Sequence, residues 1–84
     1  MGNTDKLLQR FQQKPKDFHW RELVAILRSF GYSETSKGKT GGSRRRFECE
    51  GKSPITLHEP HPKGILKAYQ IKQIIEKLKD EELI

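Results

Sequence analysis

Apolar residues recur at helical spacing in three stretches of this chain and alternate with polar residues in two others, with glycine, serine and proline between them. From Trp20 to Phe30, the positions Leu23, Ile26, Leu27 and Phe30 follow the i, i+3, i+4, i+7 spacing of one helical face. Gly31 supplies the left-handed stop. At the start of this helix His19 stands where Ser, Thr or Asp usually caps, and Glu22, three residues on, completes half of a capping box, with Asp17 as a second capping candidate. Upstream, Thr4 to Gln12 carries Leu7, Leu8 and Phe11 at helical spacing, a short helix that Lys14-Pro-Lys16 should end. From Lys67 to about Lys79, Ile71, Ile74, Ile75 and Leu78 share a face while Lys67, Lys72, Lys77 and Lys79 lie elsewhere, an amphipathic helix.

Between these helices the period changes to two. Tyr32 to Ser36, Arg46-Phe-Glu-Cys-Glu50 and Ile55-Thr-Leu-His58 are short segments divided by Gly and Ser, the pattern of a small antiparallel meander. Phe47 and Cys49 point inward and Arg46, Glu48 and Glu50 outward; Ile55 and Leu57 repeat the arrangement. Pro54 at a strand start removes only one donor. Glu59-Pro-His-Pro-Lys-Gly64 is a rigid loop, because each proline fixes its own backbone and restrains the residue before it, so that His61 is held between two prolines. The fold class predicted is α+β, with two helices on one face of a three-stranded sheet and the other face left to solvent or a partner. Residues 1–16 form an N-terminal helical extension and residues 17–84 the domain.

Charge changes this picture more than size does. The 84 residues leave room for one small domain and a modest core, which disfavours a large buried active site. Seventeen Lys and Arg against eleven Asp and Glu give a formal charge of +6, a balance that favours a polyanionic partner through counterion release and steering. Cys49 is the single cysteine, so neither an intramolecular disulfide nor a cysteine-based zinc site can form, and three separated histidines make no metal site. No metal or cofactor is expected. No apolar run approaches the roughly 20 residues of a membrane span. The start Met-Gly-Asn-Thr-Asp-Lys lacks the apolar core of a signal peptide, so a cytoplasmic setting is expected.

The chemistry concentrates in Lys39-Thr-Gly-Gly-Ser-Arg-Arg-Arg-Phe47, a paired glycine turn running into three arginines. Glycines let a backbone approach a ligand closely, and guanidinium forks match phosphate oxygens. Arg44, Arg45 and Arg46 are the phosphate-binding candidates, with Ser43 in the turn and Lys37, Lys39 and Lys63 extending the patch; alternation sends Arg44 and Arg46 to one side and Arg45 to the other. The competing reading is a solvated turn.

The order of Glu22-Leu-Val-Ala-Ile-Leu27, Phe30-Gly31-Tyr32, Gly42-Ser43, Glu59-Pro60-His61-Pro62 and Leu66 to Ile75 resembles the HicA toxin family, also called YcfA-like, over roughly Trp20 to Ile84. The resemblance implies a double-stranded-RNA-binding-like α-β-β-β-α fold, here with an extra short N-terminal helix. It further implies an mRNA endoribonuclease independent of translation, neutralised in a complex with a HicB-type antitoxin. Family toxins place a catalytic histidine directly after the Gly-Ser turn, where this chain has Arg44. Metal-free RNA cleavage needs a base for the 2′-hydroxyl proton, a group that neutralises the phosphorane and an acid for the leaving oxygen; arginine supplies only the second.

His61 is therefore the candidate for proton transfer, set against a positioning or antitoxin-contact role. His58 is a lesser candidate that otherwise reads as a sheet residue, and His19 reads as a cap. Trp20 and Tyr69 can stack on bases, but aromatics at helix starts in small domains more often fill the core. Two readings remain open: a toxin that binds and cleaves mRNA, or a catalytically inactive RNA- or protein-binding module of the same fold.

Overall fold

The computed structural model describes residues 3–35, 44–61 and 63–84, so Lys37, Lys39, the Gly42-Ser43 turn and Pro62 lie outside the described residues. Among the described residues six elements follow in the order α1 (Asn3–Gln12), α2 (Trp20–Ser29), β1 (Ser33–Glu34), β2 (Arg44–Glu48), β3 (Ile55–His58) and α3 (Ala68–Asp80). The three strands form one antiparallel sheet in the order β1-β2-β3. This is the predicted α-β-β-β-α layout preceded by a short helix. One boundary moves: the middle strand runs from Arg44 to Glu48 rather than 46 to 50, so all three arginines belong to the ladder. Cys49 leaves the ladder at a turn closed by Lys52 N–H donating to the Cys49 carbonyl at 3.0 Å.

Alternation assigns the two faces of the sheet. Phe47, Ile55 and Leu57 are buried, whereas Arg44, Arg46, Glu48, Thr56 and His58 are exposed. Onto the buried side pack Trp20, Leu23, Ile26 and Leu27 of α2 and Ile71, Ile74, Ile75 and Leu78 of α3, as their stripes require. The Trp20 and Phe47 rings meet with centroids 5.9 Å apart.

Helix α1 joins the same core. Phe11 is fully buried, its ring 4.9 Å from that of Phe18, and Arg10 lies over the Phe18 ring while pairing with Asp17 at 2.7 Å and Glu22 at 2.9 Å. Lys14, at φ 56°, turns the chain into Pro15.

The caps explain why the helices stop and start where they do. His19 Nδ1 accepts the Arg21 N–H at 3.2 Å and Glu22 Oε1 accepts the His19 N–H at 2.9 Å, so His19 is the cap its position suggested. Gly31, at φ 97°, ends α2: its N–H donates to the Arg28 carbonyl and that of Tyr32 to the Leu27 carbonyl, the paired bonds of a Schellman turn. Helix α3 closes with the same pair of bonds around Glu82, held at φ 61° without being glycine.

Candidate nucleic-acid interface

The uncovered face of the sheet carries the chemistry. Register places Arg44 opposite His58 and Arg46 opposite Thr56, so these four side chains form a grid on the side away from the helices. All four are exposed. Strand alternation separated Arg45 from its neighbours as expected, and its environment differs accordingly.

Arg45 opposes the buried Leu57 and is half-buried. Its guanidinium meets Glu59 Oε1 at 3.0 Å through Nη2 and at 3.1 Å through Nε, with Glu34 Oε2 at 3.6 Å from Nε. A cation on the covered side of a sheet needs such partners, since desolvation without them is costly. Arg45 thus joins the ends of β1, β2 and β3. Arg46 is drawn along its own strand to Glu48, 2.5 Å away. Arg44 has no carboxylate within ion-pair distance among the described residues. The three adjacent arginines therefore present unequal guanidinium groups, and Arg44 is the one most available to an incoming phosphate.

The loop after β3 is fixed at both ends. Buried Gln70 donates from Nε2 to the His58 carbonyl at 2.8 Å and accepts the Lys67 N–H on Oε1 at 3.0 Å, joining the end of β3 to the start of α3. Trp20 N–H donates to the Gly64 carbonyl and Leu66 N–H to that of Phe18, both at 2.8 Å. Gly64, at φ 74°, sits against the His19 ring, where a Cβ would come within 3.2 Å. Between these anchors His61 and Lys63 are exposed.

Sequence reasoning missed three features. Tyr69 was expected in the core and is 57 % exposed, because the α3 stripe turns on Gln70, Ile71 and Ile74 and leaves the preceding residue facing out. Trp20, by contrast, is buried as expected. Gln70 was passed over, although glutamine at the third position of a helix is half of a capping-box signal; the lysine at the cap position concealed it. The acidic partners of Arg45 could have been sought from alternation alone, which placed that cation inward.

At the far end of the sheet, Ser53 in the β2–β3 turn hydrogen-bonds Glu81 through both its hydroxyl and its N–H, and Lys77 Nζ donates to the same hydroxyl at 2.7 Å. Those Ser53 bonds hold the Glu81 carboxyl below its ordinary range. Among the described residues no three His, Cys, Asp or Glu side chains converge on a point where a metal ion could sit. No helix among them is long and apolar enough to cross a membrane.

A three-stranded sheet with helices on one face and arginines and a histidine on the other defines a small α+β domain of double-stranded-RNA-binding-like layout with a basic open face. The family model for HicA toxin of bacterial toxin-antitoxin matches residues 20–80, and the chain belongs to that family. No curated protein and no solved structure matches it. Membership makes the chain the toxin of a toxin–antitoxin system and implies a cognate antitoxin as its partner.

Proposed function

We propose that this toxin binds mRNA on the open sheet face and cleaves it without a metal ion. The observation that supports this most is the division of labour among the arginines: Arg45 is held in structural ion pairs, while Arg44, with Arg46 beside it, faces outward on a rigid ladder. A guanidinium fixed on a strand suits a phosphate oxygen and the charge that builds on it during cleavage. Lys63 extends the patch from the loop; Ser43, Lys37 and Lys39 are proposed to extend it from the turn before β2. His61 is the loop residue proposed to transfer a proton. An acidic face on a HicB-like antitoxin would cover the same arginines, block RNA and hold the toxin in a hetero-oligomer, in the cytoplasm where mRNA is met.

A second reading is supported by Arg44 itself. It stands where the resemblance led to a histidine, and an arginine does not exchange protons near neutral pH. In that reading the chain is a binding module of the same fold. Incubation of purified protein with a long end-labelled mRNA in EDTA separates the two. Cuts by the parent, abolished in His61→Ala with RNA affinity retained, support the nuclease; intact RNA with a salt-sensitive mobility shift establishes the binding module. Loss of cleavage and affinity together in His61→Ala would make His61 a binding residue.

A further inference from the structure

The geometry points to His58 as the group that removes the 2′-hydroxyl proton, working across the ladder from Arg44. This rests on the nuclease reading and names the acting residue within it. Three observations carry it. First, Arg44 and His58 are register partners on adjacent strands, so their Cβ atoms lie about 4.5–5.5 Å apart and their side chains rise from the same face. Second, both are exposed on the side of the sheet that no helix among the described residues covers, where a phosphodiester can reach them. Third, the backbone beneath His58 is fixed on both sides, by the β2–β3 ladder and by the bond from buried Gln70 to its carbonyl.

These features match what the reaction demands. A guanidinium that grips the non-bridging oxygens of one phosphate brings that phosphorus, and the ribose hydroxyl next to it, alongside the cross-strand imidazole. Proton abstraction needs the base at hydrogen-bond distance from the hydroxyl while the phosphate is held, so base and phosphate clamp gain from sharing one rigid element. Strand positions provide that precision better than a loop does.

His61 lies three residues further on, exposed in the loop, and its Cα is within about 10 Å of that of His58 along an extended chain. Within that limit both imidazoles can be brought to one phosphodiester. In the resulting step the 2′-hydroxyl proton passes to the neutral His58 ring as the 2′-oxygen bonds to phosphorus. Negative charge on the phosphorane is met by Arg44. The bond from phosphorus to the 5′-oxygen breaks, and that oxygen takes a proton from the His61 imidazolium. The products are a 2′,3′-cyclic phosphate and a free 5′-hydroxyl, and the two rings return to their starting states by proton exchange with water.

The test uses the full chain and an RNA oligonucleotide spanning one mapped cut, made with either oxygen or sulfur at the 5′-bridging position. Sulfur leaves without protonation, so it restores a variant lacking the acid and not one lacking the base. His58→Gln is expected to lose about 100-fold or more in single-turnover cleavage of both substrates, the usual contribution of a general base. It should stay folded, with RNA affinity near that of the parent, since the β2–β3 ladder and the Gln70 bond hold the His58 backbone and not its ring. His61→Gln should lose activity on the oxygen substrate and recover it on the sulfur one. Cleavage by His58→Gln at the parent rate, or its rescue by sulfur, overturns this assignment and leaves the nuclease reading standing. Failure of the parent itself to cleave RNA overturns both.

Discussion

Replacing Arg44 and Arg45 separately should give opposite results, although the two residues are identical and adjacent. Arg44→Ala removes an exposed side chain with no carboxylate in ion-pair reach among the described residues, so its effect on stability should stay within about 0.5 kcal/mol. Its effect on RNA binding should be one lost phosphate contact, a fall of about 0.7–0.9 in the slope of log affinity against log salt. Between 50 and 200 mM salt, parent affinity should then fall about threefold more than that of the variant. Arg45→Ala leaves Glu59 and Glu34 half-buried without their cation. Its side chain is 25 % exposed, between the nearly free surface pair and the costly buried one, which sets the loss at about 1–2 kcal/mol. For a domain of this size that lowers Tm by about 5–15 °C. Thermal melts followed by circular dichroism and RNA titrations at four or more salt concentrations measure both quantities. A variant of Arg44 that loses stability but keeps the parent slope, or one of Arg45 that loses slope at unchanged Tm, would refute the division of roles drawn from the ladder.

Further outcomes follow from the packing. Phe11→Ala, which empties a fully buried site against Phe18, should cost about 3–5 kcal/mol, a large share of the about 4–13 kcal/mol typical of 84 residues, read as a lower midpoint in urea titration. Removal of residues 1–16, which takes away the same side chain, should lower that midpoint at least as far. Glu82→Gly should raise Tm by about 2–8 °C, since glycine accepts the left-handed turn that glutamate holds at φ 61°. The Glu81 carboxyl, held low by Ser53, is stabilising above its unfolded pKa, and that contribution is lost as pH falls through the lower folded value. The gap in Tm between parent and Ser53→Ala should therefore be widest near neutrality and narrow below about pH 4, as melts across pH would show.

Periodicity carried most of the architecture. The stripes of α2 and α3 and the alternation about Phe47, Ile55 and Leu57 bury Leu23, Ile26, Leu27, Ile71, Ile74, Ile75 and Leu78 against one side of the sheet, which is why the element order and the open face could be read in advance. What could not be read depends on contacts distant in sequence. Arg45 is bound by Glu34 and Glu59, eleven residues before it and fourteen after, and only the strand register brings them together. The same holds for Arg44 and His58: alternation gives each a face, but their pairing requires knowing how far β2 slides along β3. Tyr69 was misplaced because a single residue's rotation at a helix start decides whether an aromatic ring enters the core, and Gln70 took the inward direction.

Whether RNA lies on the open sheet face is tested most directly by amide and side-chain chemical shifts recorded during titration with a short RNA in EDTA. Changes should centre on Arg44, Arg46, Thr56, His58 and His61, with the exposed surfaces of α1 and α2 unmoved. Changes confined to the helices, with the signals of β2 and β3 unchanged at saturation, would contradict that placement.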